Sequence, residues 1–250
     1  MSHFILVHGA WEEAQAWDDV TPVLRQNGHT ATALDLPGHG ANKEELSKVS
    51  MARYVQNVVD FINQVEGKVV LVAHSMSGAV ISQVAERIPE KIERLVYVAA
   101  FLLKDGDYVM AAMQSDSGNE LLPEIVFSDD ESYGSVPEQA LRRVGFHDVD
   151  EAVIQRILPL MAQKQATEPF MAKIEVSDEK FGSVPKTYIR TSIDKVTSPA
   201  LQDRMIGNWE VETVLHLEAG HFPLFSVPTQ LAELLLQAAN VDAIKQVSNA

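Results

Sequence analysis

The sequence predicts an α/β fold in which a mostly parallel sheet is covered by helices on both faces. Short apolar runs alternate with longer amphipathic stretches along most of the chain, which is the pattern of strands joined by crossover helices. At 250 residues with 46% apolar content, the chain is long enough to bury one large core. One stretch, residues 103–182, breaks the alternation.

Each predicted element has its own signal. The strands are apolar, β-branched runs, predicted at His3 to His8, His29 to Asp35, Lys68 to Ala73, Arg94 to Ala99, Lys186 to Thr191 and Thr213 to Leu217. The helices are amphipathic stretches, predicted at Glu13 to Asn27, Met51 to Glu66, Met76 to Ile88, Pro199 to Asn208 and Pro228 to Ala239. In such a fold, ligands bind at the carboxyl ends of the strands.

The interrupting stretch contains no convincing strand. It holds two helical patterns, Pro137 to Val144 and Asp150 to Gln165, among acidic loops. An insertion between two strands of a complete α/β core indicates a cap over the site. We therefore divide the chain into a core, residues 1–102 and 183–250, and a helical cap, residues 103–182.

Composition excludes several classes of function. The formal net charge of −15 argues against nucleic acid and anionic membranes as partners. The absence of cysteine excludes thiol catalysis and disulfides, and it fits a reducing compartment, so we expect a cytoplasmic protein. No apolar run approaches the length of a membrane span, and the run Phe4 to Val7 is too short for a signal-peptide core.

Ser75 is the most informative residue. The apolar run that ends at Ala73 stops at this serine, and a helical pattern follows. Small residues stand two before it, two after it and three after it, namely Ala73, Ser77 and Gly78. This layout is typical of a nucleophile elbow, a strained strand-turn-helix that presents a serine hydroxyl above a helix N-terminus. Both glycines of the strict Gly-x-Ser-x-Gly pattern are replaced, and the alternative is an ordinary turn with a capping serine.

A serine nucleophile needs a base and an acid that orients the base. His221 is the best candidate base because it follows the last predicted strand, although a purely structural helix-capping role is the alternative. Asp194 is the preferred acid because it follows the preceding strand, and Asp105 is the second choice. We expect His8 and His74 to be scaffold, with His74 leaving the elbow in another direction.

An oxyanion hole needs two backbone N–H donors. One is expected from Met76, the residue after the nucleophile. The other is expected from the loop after the first strand, where Gly9 allows close approach and Ala10 is the preferred donor.

Together these residues resemble the α/β-hydrolase superfamily and, within it, the plant methylesterase and hydroxynitrile lyase family with its bacterial relatives. The resemblance covers nearly the whole chain. It includes the opening strand and oxyanion loop, from Phe4 to Trp11, and the exit from the cap, from Glu179 to Lys186. It implies an α/β-hydrolase fold, a triad of Ser75, Asp194 and His221, and ester hydrolysis without a metal or organic cofactor.

The lyase branch of that family places a Thr after the first-strand His and a Lys after the catalytic His. Here these positions are Gly9 and Phe222, so the resemblance favours an esterase. A lyase on the same triad, or a hydrolase-fold binding protein with little turnover, remain alternatives.

The expected partner is a small-molecule ester with an apolar portion, and a homodimer is left open. The apolar residues expected to line the pocket are Trp11, Phe101, Leu102, Met161, Phe170 and Phe222, the alternative being that each only packs the core or cap.

Overall fold

The computed structural model describes residues 1–240, in which a six-stranded parallel sheet carries helices on both faces. The last ten residues of the predicted core, 241–250, lie outside the described residues. The sheet strands are β1 His3–Val7, β2 Thr30–Leu34, β3 Val69–His74, β4 Ile92–Val98, β8 Lys186–Thr191 and β9 Thr213–Leu217. The inserted segment contains three shorter strands, β5 Val126–Phe127, β6 Tyr133–Ser135 and β7 Gln165–Ala166.

Ten α-helices are assigned within residues 1–240, and none of these is long and apolar enough to cross a membrane. They are α1 Thr21–Gln26, α2 Met51–Asn63, α3 Ser77–Arg87, α4 Val109–Gln114, α5 Glu138–Ala140, α6 Glu151–Ile157, α7 Glu168–Met171, α8 Pro199–Ile206, α9 Pro223–Ser226 and α10 Pro228–Ala239.

The strand order is β2-β1-β3-β4-β8-β9, and every neighbouring pair is parallel. Successive residues of each strand point to opposite faces, so each face has its own apolar core. On β3, for example, Leu71 packs in the core covered by α2 and α3, whereas Val70 and Val72 pack in the core covered by α1 and α10. Because all strands run the same way, their carboxyl ends meet at one edge, where the loops carry the candidate site.

The prediction of one continuous first helix is wrong. Instead of a helix from Glu13 to Asn27, the chain forms a 3-10 turn at Ala14–Trp17 and then the short helix α1. Two features explain the break. Pro22 lies in the first turn of α1, where its missing N–H is tolerated. The Asp35 carboxylate also accepts the Ala14 N–H at 2.7 Å and anchors the turn to the loop after β2.

The expectation of a strand-free cap is also wrong. Strands β5, β6 and β7 form a three-stranded antiparallel sheet. Each has only two or three residues, which is too short to show the alternation that marks a strand in sequence. The first predicted cap helix is present but changes its hydrogen-bond pattern along its length, and the second is shorter than predicted. The first becomes α5 followed by a π-helix at Leu141–Gly145, and the second ends at Ile157, just before Pro159, so that Gln165 lies in β7.

Candidate active site

Ser75 lies at the tip of a sharp turn between β3 and α3. Its φ of 52° is in the left-handed region, which a serine adopts only under strain. The neighbours must be small: a Cβ added to Gly78 would lie 2.6 Å from the Phe101 carbonyl oxygen, and one added to Gly9 would lie 3.0 Å from Ser75 Cβ. The Ser77 hydroxyl, which replaces a glycine of the strict motif, donates to the His8 carbonyl. The turn therefore leaves no room for larger side chains at the positions of Gly9 and Gly78.

The structure brings Ser75, His221 and Asp194 together in one hydrogen-bonded series. His221 Nε2 lies 2.9 Å from Ser75 Oγ, and His221 Nδ1 lies 2.9 Å from Asp194 Oδ2. A carboxylate can only accept, so Nδ1 carries the proton and Nε2 is free to accept the serine proton. All three residues are buried, with at most 7% of their surface exposed.

The Asp194 carboxylate is held by donors other than His221. Its Oδ1 accepts the N–H groups of Val196 at 2.7 Å and Thr197 at 2.9 Å, and its Oδ2 accepts the Thr191 hydroxyl at 3.0 Å. Asp105, the second candidate acid, instead accepts the Val176 N–H at 3.0 Å and joins the beginning of the cap segment to its end. The loop after β8 therefore supplies the carboxylate at His221.

The expected oxyanion donors flank Ser75. Among residues 1–240, neither the Ala10 N–H nor the Met76 N–H has a hydrogen-bond acceptor, and Ala10 lines the cavity next to the serine. The N–H groups on either side of Ala10 are engaged: Gly9 donates to the Glu12 carboxylate, and Trp11 donates to Gln165 Oε1 at 3.3 Å. Both expected donors thus lack a hydrogen-bond acceptor in the described part of the chain, as donors to an oxyanion must.

Four of the six expected lining residues border the cavity that contains Ser75 and His221; they are Trp11, Phe101, Phe170 and Phe222. The structure places the other two away from this cavity. Leu102 is fully buried in the core on the α2–α3 face of the sheet and does not border this cavity. Met161 borders neighbouring surface pockets, beyond Trp11, because the expected helix ends before it.

Several site residues were missed. Met113, Leu121 and Val196 also line the cavity, and they come from loops and short helices that carry no sequence motif. Glu12 is 1% exposed and lies beside the oxyanion loop. Its only sequence signal is an acidic residue directly after the apolar opening motif. Among residues 1–240, no group of three or more His, Asp or Glu side chains is placed to hold a metal ion.

The pKa values of the two expected scaffold histidines are shifted in opposite directions. His8 donates from Nδ1 to the Gly9 carbonyl at 2.8 Å and accepts the Leu36 N–H at Nε2, and burial together with His39 lowers its pKa to about 4. The prediction that His74 turns away from the site is wrong, because its ring centre lies 4.8 Å from that of His221. Its Nδ1 lies 2.8 Å from Glu12 Oε2.

The pKa shifts of Glu12 and His74 favour the state in which both side chains are charged. Burial opposes charge on both groups, raising the pKa of Glu12 and lowering that of His74. Their mutual attraction and hydrogen bond outweigh burial, so the pKa of Glu12 is lowered and that of His74 is raised overall.

Comparisons with known proteins agree with this architecture. The model of the alpha/beta hydrolase family matches residues 4–234, so the chain belongs to that family. Methylesterase 7 of Arabidopsis thaliana is 31% identical over 256 residues, covering 95% of this chain and 96% of the relative. A longer chloroplastic relative from the same plant is 30% identical over 96% of this chain, which spans 64% of that relative's length.

A solved structure of a pyrethroid hydrolase from Sphingobium faniae JZ-2 is similar to this chain, with a TM-score of 0.84 and 28% identity over 97% of this chain and 98% of that one. The fold and the site thus define an α/β hydrolase. Within that class the chain belongs to the plant methylesterase family, and it is a carboxylic ester hydrolase, as the sequence predicts.

Proposed function

We propose that this protein hydrolyses a small or medium carboxylic ester through an acyl-enzyme on Ser75. The observation that carries the proposal is the buried hydrogen-bonded series from Ser75 Oγ through His221 to Asp194. A serine hydroxyl is a weak nucleophile at neutral pH, and this arrangement activates it with a base whose tautomer is already correct.

In the first half-reaction, Ser75 Oγ attacks the ester carbonyl carbon while its proton passes to His221 Nε2. The carbonyl oxygen becomes an oxyanion, which the N–H groups of Ala10 and Met76 stabilise. His221 then gives its proton to the alcohol oxygen as the C–O bond breaks. In the second half-reaction a water molecule loses a proton to His221 Nε2, attacks the acyl carbon and releases the carboxylic acid, and Ser75 recovers its proton.

The cavity beside Ser75 is lined mainly by apolar side chains, which suit the apolar group of an ester. Its free volume is about 20 Å³, which holds about one water molecule, so substrate binding requires the wall to move. Among residues 1–240, Trp11 alone borders both this cavity and a neighbouring surface pocket of about 310 Å³. Displacement of the Trp11 side chain would give an ester enough space, within the usual size of a small-molecule site.

The lyase alternative receives no support from the site. That branch carries a threonine at the position of Gly9, where any Cβ would lie 2.8 Å from Glu12 Oε2 and 2.9 Å from His74 Nδ1. It carries a lysine at the position of Phe222, which is 4% exposed and packs against Phe146. A lysine at this position would bury an ammonium group against the aromatic rings of Phe146 and Phe225.

The test is a Ser75→Ala variant assayed on p-nitrophenyl esters of increasing acyl length. Removal of the nucleophile should lower kcat by at least about 10⁴-fold, while circular dichroism and the melting temperature stay close to wild type. An organophosphonate should label the wild type at Ser75, as read by peptide mass spectrometry. Full activity of Ser75→Ala, or a label on another residue, would show that the proposal is wrong.

A further inference from the structure

Glu12 and His74 form a buried polar pair directly behind the triad. Glu12 Oε2 lies 2.8 Å from His74 Nδ1, and His74 Nε2 lies 2.7 Å from the main-chain carbonyl oxygen of His221. Both side chains are fully buried. The mechanism proposed above uses neither of them.

The hydrogen-bond partners of His74 restrict the protonation state of its ring. A carbonyl oxygen has no proton to give, so Nε2 must donate to His221. One further proton lies between Nδ1 and the Glu12 carboxylate. The Gly9 N–H also donates to this carboxylate, which favours its charged form, and the directions of the two pKa shifts agree. These observations favour an imidazolium at His74, which donates from both nitrogens.

The pair joins the three chain segments that meet at the catalytic cavity. His74 immediately precedes the nucleophile Ser75, its Nε2 holds the main chain of the base at His221, and Glu12 holds the oxyanion loop at Gly9. The contact with His221 acts on its backbone, whereas Asp194 acts on its ring. The base is thus fixed at two points by two different carboxylates, one directly and one through His74.

Stability alone is a poor explanation for this pair. Removing two charged groups from water is unfavourable, and a buried ion pair is often no more stabilising than well-packed apolar side chains. Moreover, Glu12 Oε1 is buried with no hydrogen-bond partner among residues 1–240. The Glu12–His74 pair has an unsatisfied carboxylate oxygen, yet it joins three segments of the site. A role in positioning those segments explains the pair better than stability does.

We propose that Glu12 and His74 are positioning residues of the reaction: they hold the His221 main chain and the Gly9 N–H so that base, nucleophile and oxyanion donors keep their relative placement. This inference rests on the proposed ester hydrolysis. Its signature in Glu12 variants is a loss in kcat with little change in KM, because Glu12 supports the reacting groups from behind and does not border the cavity, whereas His74 does.

The first variant is Glu12→Gln, which keeps the shape but removes the charge. We expect kcat on p-nitrophenyl acetate to fall about 10- to 100-fold with KM within about twofold of wild type. The matched control is Glu212→Gln, which removes the charge facing the buried Arg94, 2.6 Å away, at the start of β4 and far from the site. The control should lower the melting temperature and leave kcat unchanged.

A second pair of variants separates the two contacts of His74. In His74→Gln the amide reaches the position of Nε2 and keeps the donor to the His221 carbonyl. In His74→Asn it reaches the position of Nδ1 and keeps only the contact with Glu12. We expect kcat of His74→Gln to be at least about fivefold higher than that of His74→Asn, because only the glutamine keeps the hydrogen bond to the His221 carbonyl.

Each outcome decides the inference. A kcat loss below tenfold in a folded Glu12→Gln variant, or a His74→Asn variant as active as His74→Gln, overturns it. If Glu12→Gln does not fold, the two His74 variants decide alone, and if none of the three folds, the pair is structural and the inference fails. Failure of the proposed function looks different, because the wild type itself would then show neither turnover nor labelling of Ser75.

Discussion

The two walls of the catalytic cavity are built in different ways. The core wall consists of loops at the carboxyl ends of the strands and carries Ser75, Asp194 and His221, each fixed by buried hydrogen bonds. The cap wall carries Met113, Leu121 and Phe170, which contribute apolar surface.

This difference separates chemistry from substrate choice. Hydrogen bonds at buried positions fix atoms to within a fraction of an ångström, as proton transfer requires, whereas apolar packing tolerates changes in shape. We therefore expect changes in the core wall to affect kcat most, and changes in the cap wall to affect which ester is accepted. The following predictions test that division, in order of decreasing effect.

The largest effect is expected for Asp194→Asn. The N–H groups of Val196 and Thr197 fix the amide so that its oxygen faces them and its NH₂ faces His221 Nδ1. The imidazole must then carry its proton on Nε2, where it can no longer accept the serine proton. We expect kcat to fall about 10⁴-fold, the loss that a wrong tautomer causes in other triads of this kind. The control is Asp105→Asn, which should keep kcat within about twofold; equal losses would reinstate Asp105 as the acid.

A smaller loss is expected for Gly9→Ala. The new Cβ would lie 2.8 Å from Glu12 Oε2 and 3.0 Å from Ser75 Cβ, so the oxyanion loop must shift. Losing one oxyanion donor lowers kcat by about 10²- to 10³-fold. Gly207→Ala is the matched control, because its Cβ would meet only ordinary contacts, at 3.5 Å and beyond. Wild-type kcat in Gly9→Ala would mean that Ala10 is not a donor.

The Glu12–His74 pair should also make stability depend on pH. The raised pKa of His74 contributes stability that is complete below its unfolded value of 6.5 and is lost as the pH rises through the folded value. The lowered pKa of Glu12 contributes stability that is complete above 4.5 and is lost as the pH falls through the folded value. The contribution of the pair is therefore greatest between these two values.

Urea denaturation of wild type and Glu12→Gln at several pH values tests the expected pH dependence of stability. The difference in unfolding free energy should be larger at about pH 5.5 than at about pH 9. The other ionisable groups facing the pair are His8, beside Glu12, and Asp194 and His221, beside His74, and all three are present in both proteins. A difference that does not change with pH would argue against a charged pair.

The smallest effect on chemistry is expected in the cap wall. Phe170 is buried against Trp11, with ring centres 5.9 Å apart, and borders the cavity. Phe170→Ala should enlarge the cavity and raise kcat/KM for a hexanoyl ester relative to an acetyl ester by about tenfold, the effect of a few methylenes in an apolar pocket. Met171→Ala, on the same helix but 54% exposed, is the control. Unchanged preference would exclude Phe170 from substrate selection.

Local signals were sufficient to predict the sheet. All six core strands were identified, because each is a short apolar run bounded by turn residues. The elbow at Ser75 was readable for a related reason: steric crowding leaves a pattern of small residues around it in the sequence. The cap was predicted less well, since strands as short as β5 and β7 show no periodicity, and a helix that ends before Pro159 depends on its surroundings.

The sequence by itself determined the individual core strands and the elbow, because those features depend on contacts within short segments. Only the tertiary structure decided that Asp194 rather than Asp105 faces His221, that Leu102 and Met161 lie away from the cavity, and that Glu12 meets His74. Glu12 and His74 are 62 residues apart, and their contact exists only because β1 and β3 are neighbours in the sheet. Such contacts follow from the arrangement of whole strands, and no local pattern in the chain records them.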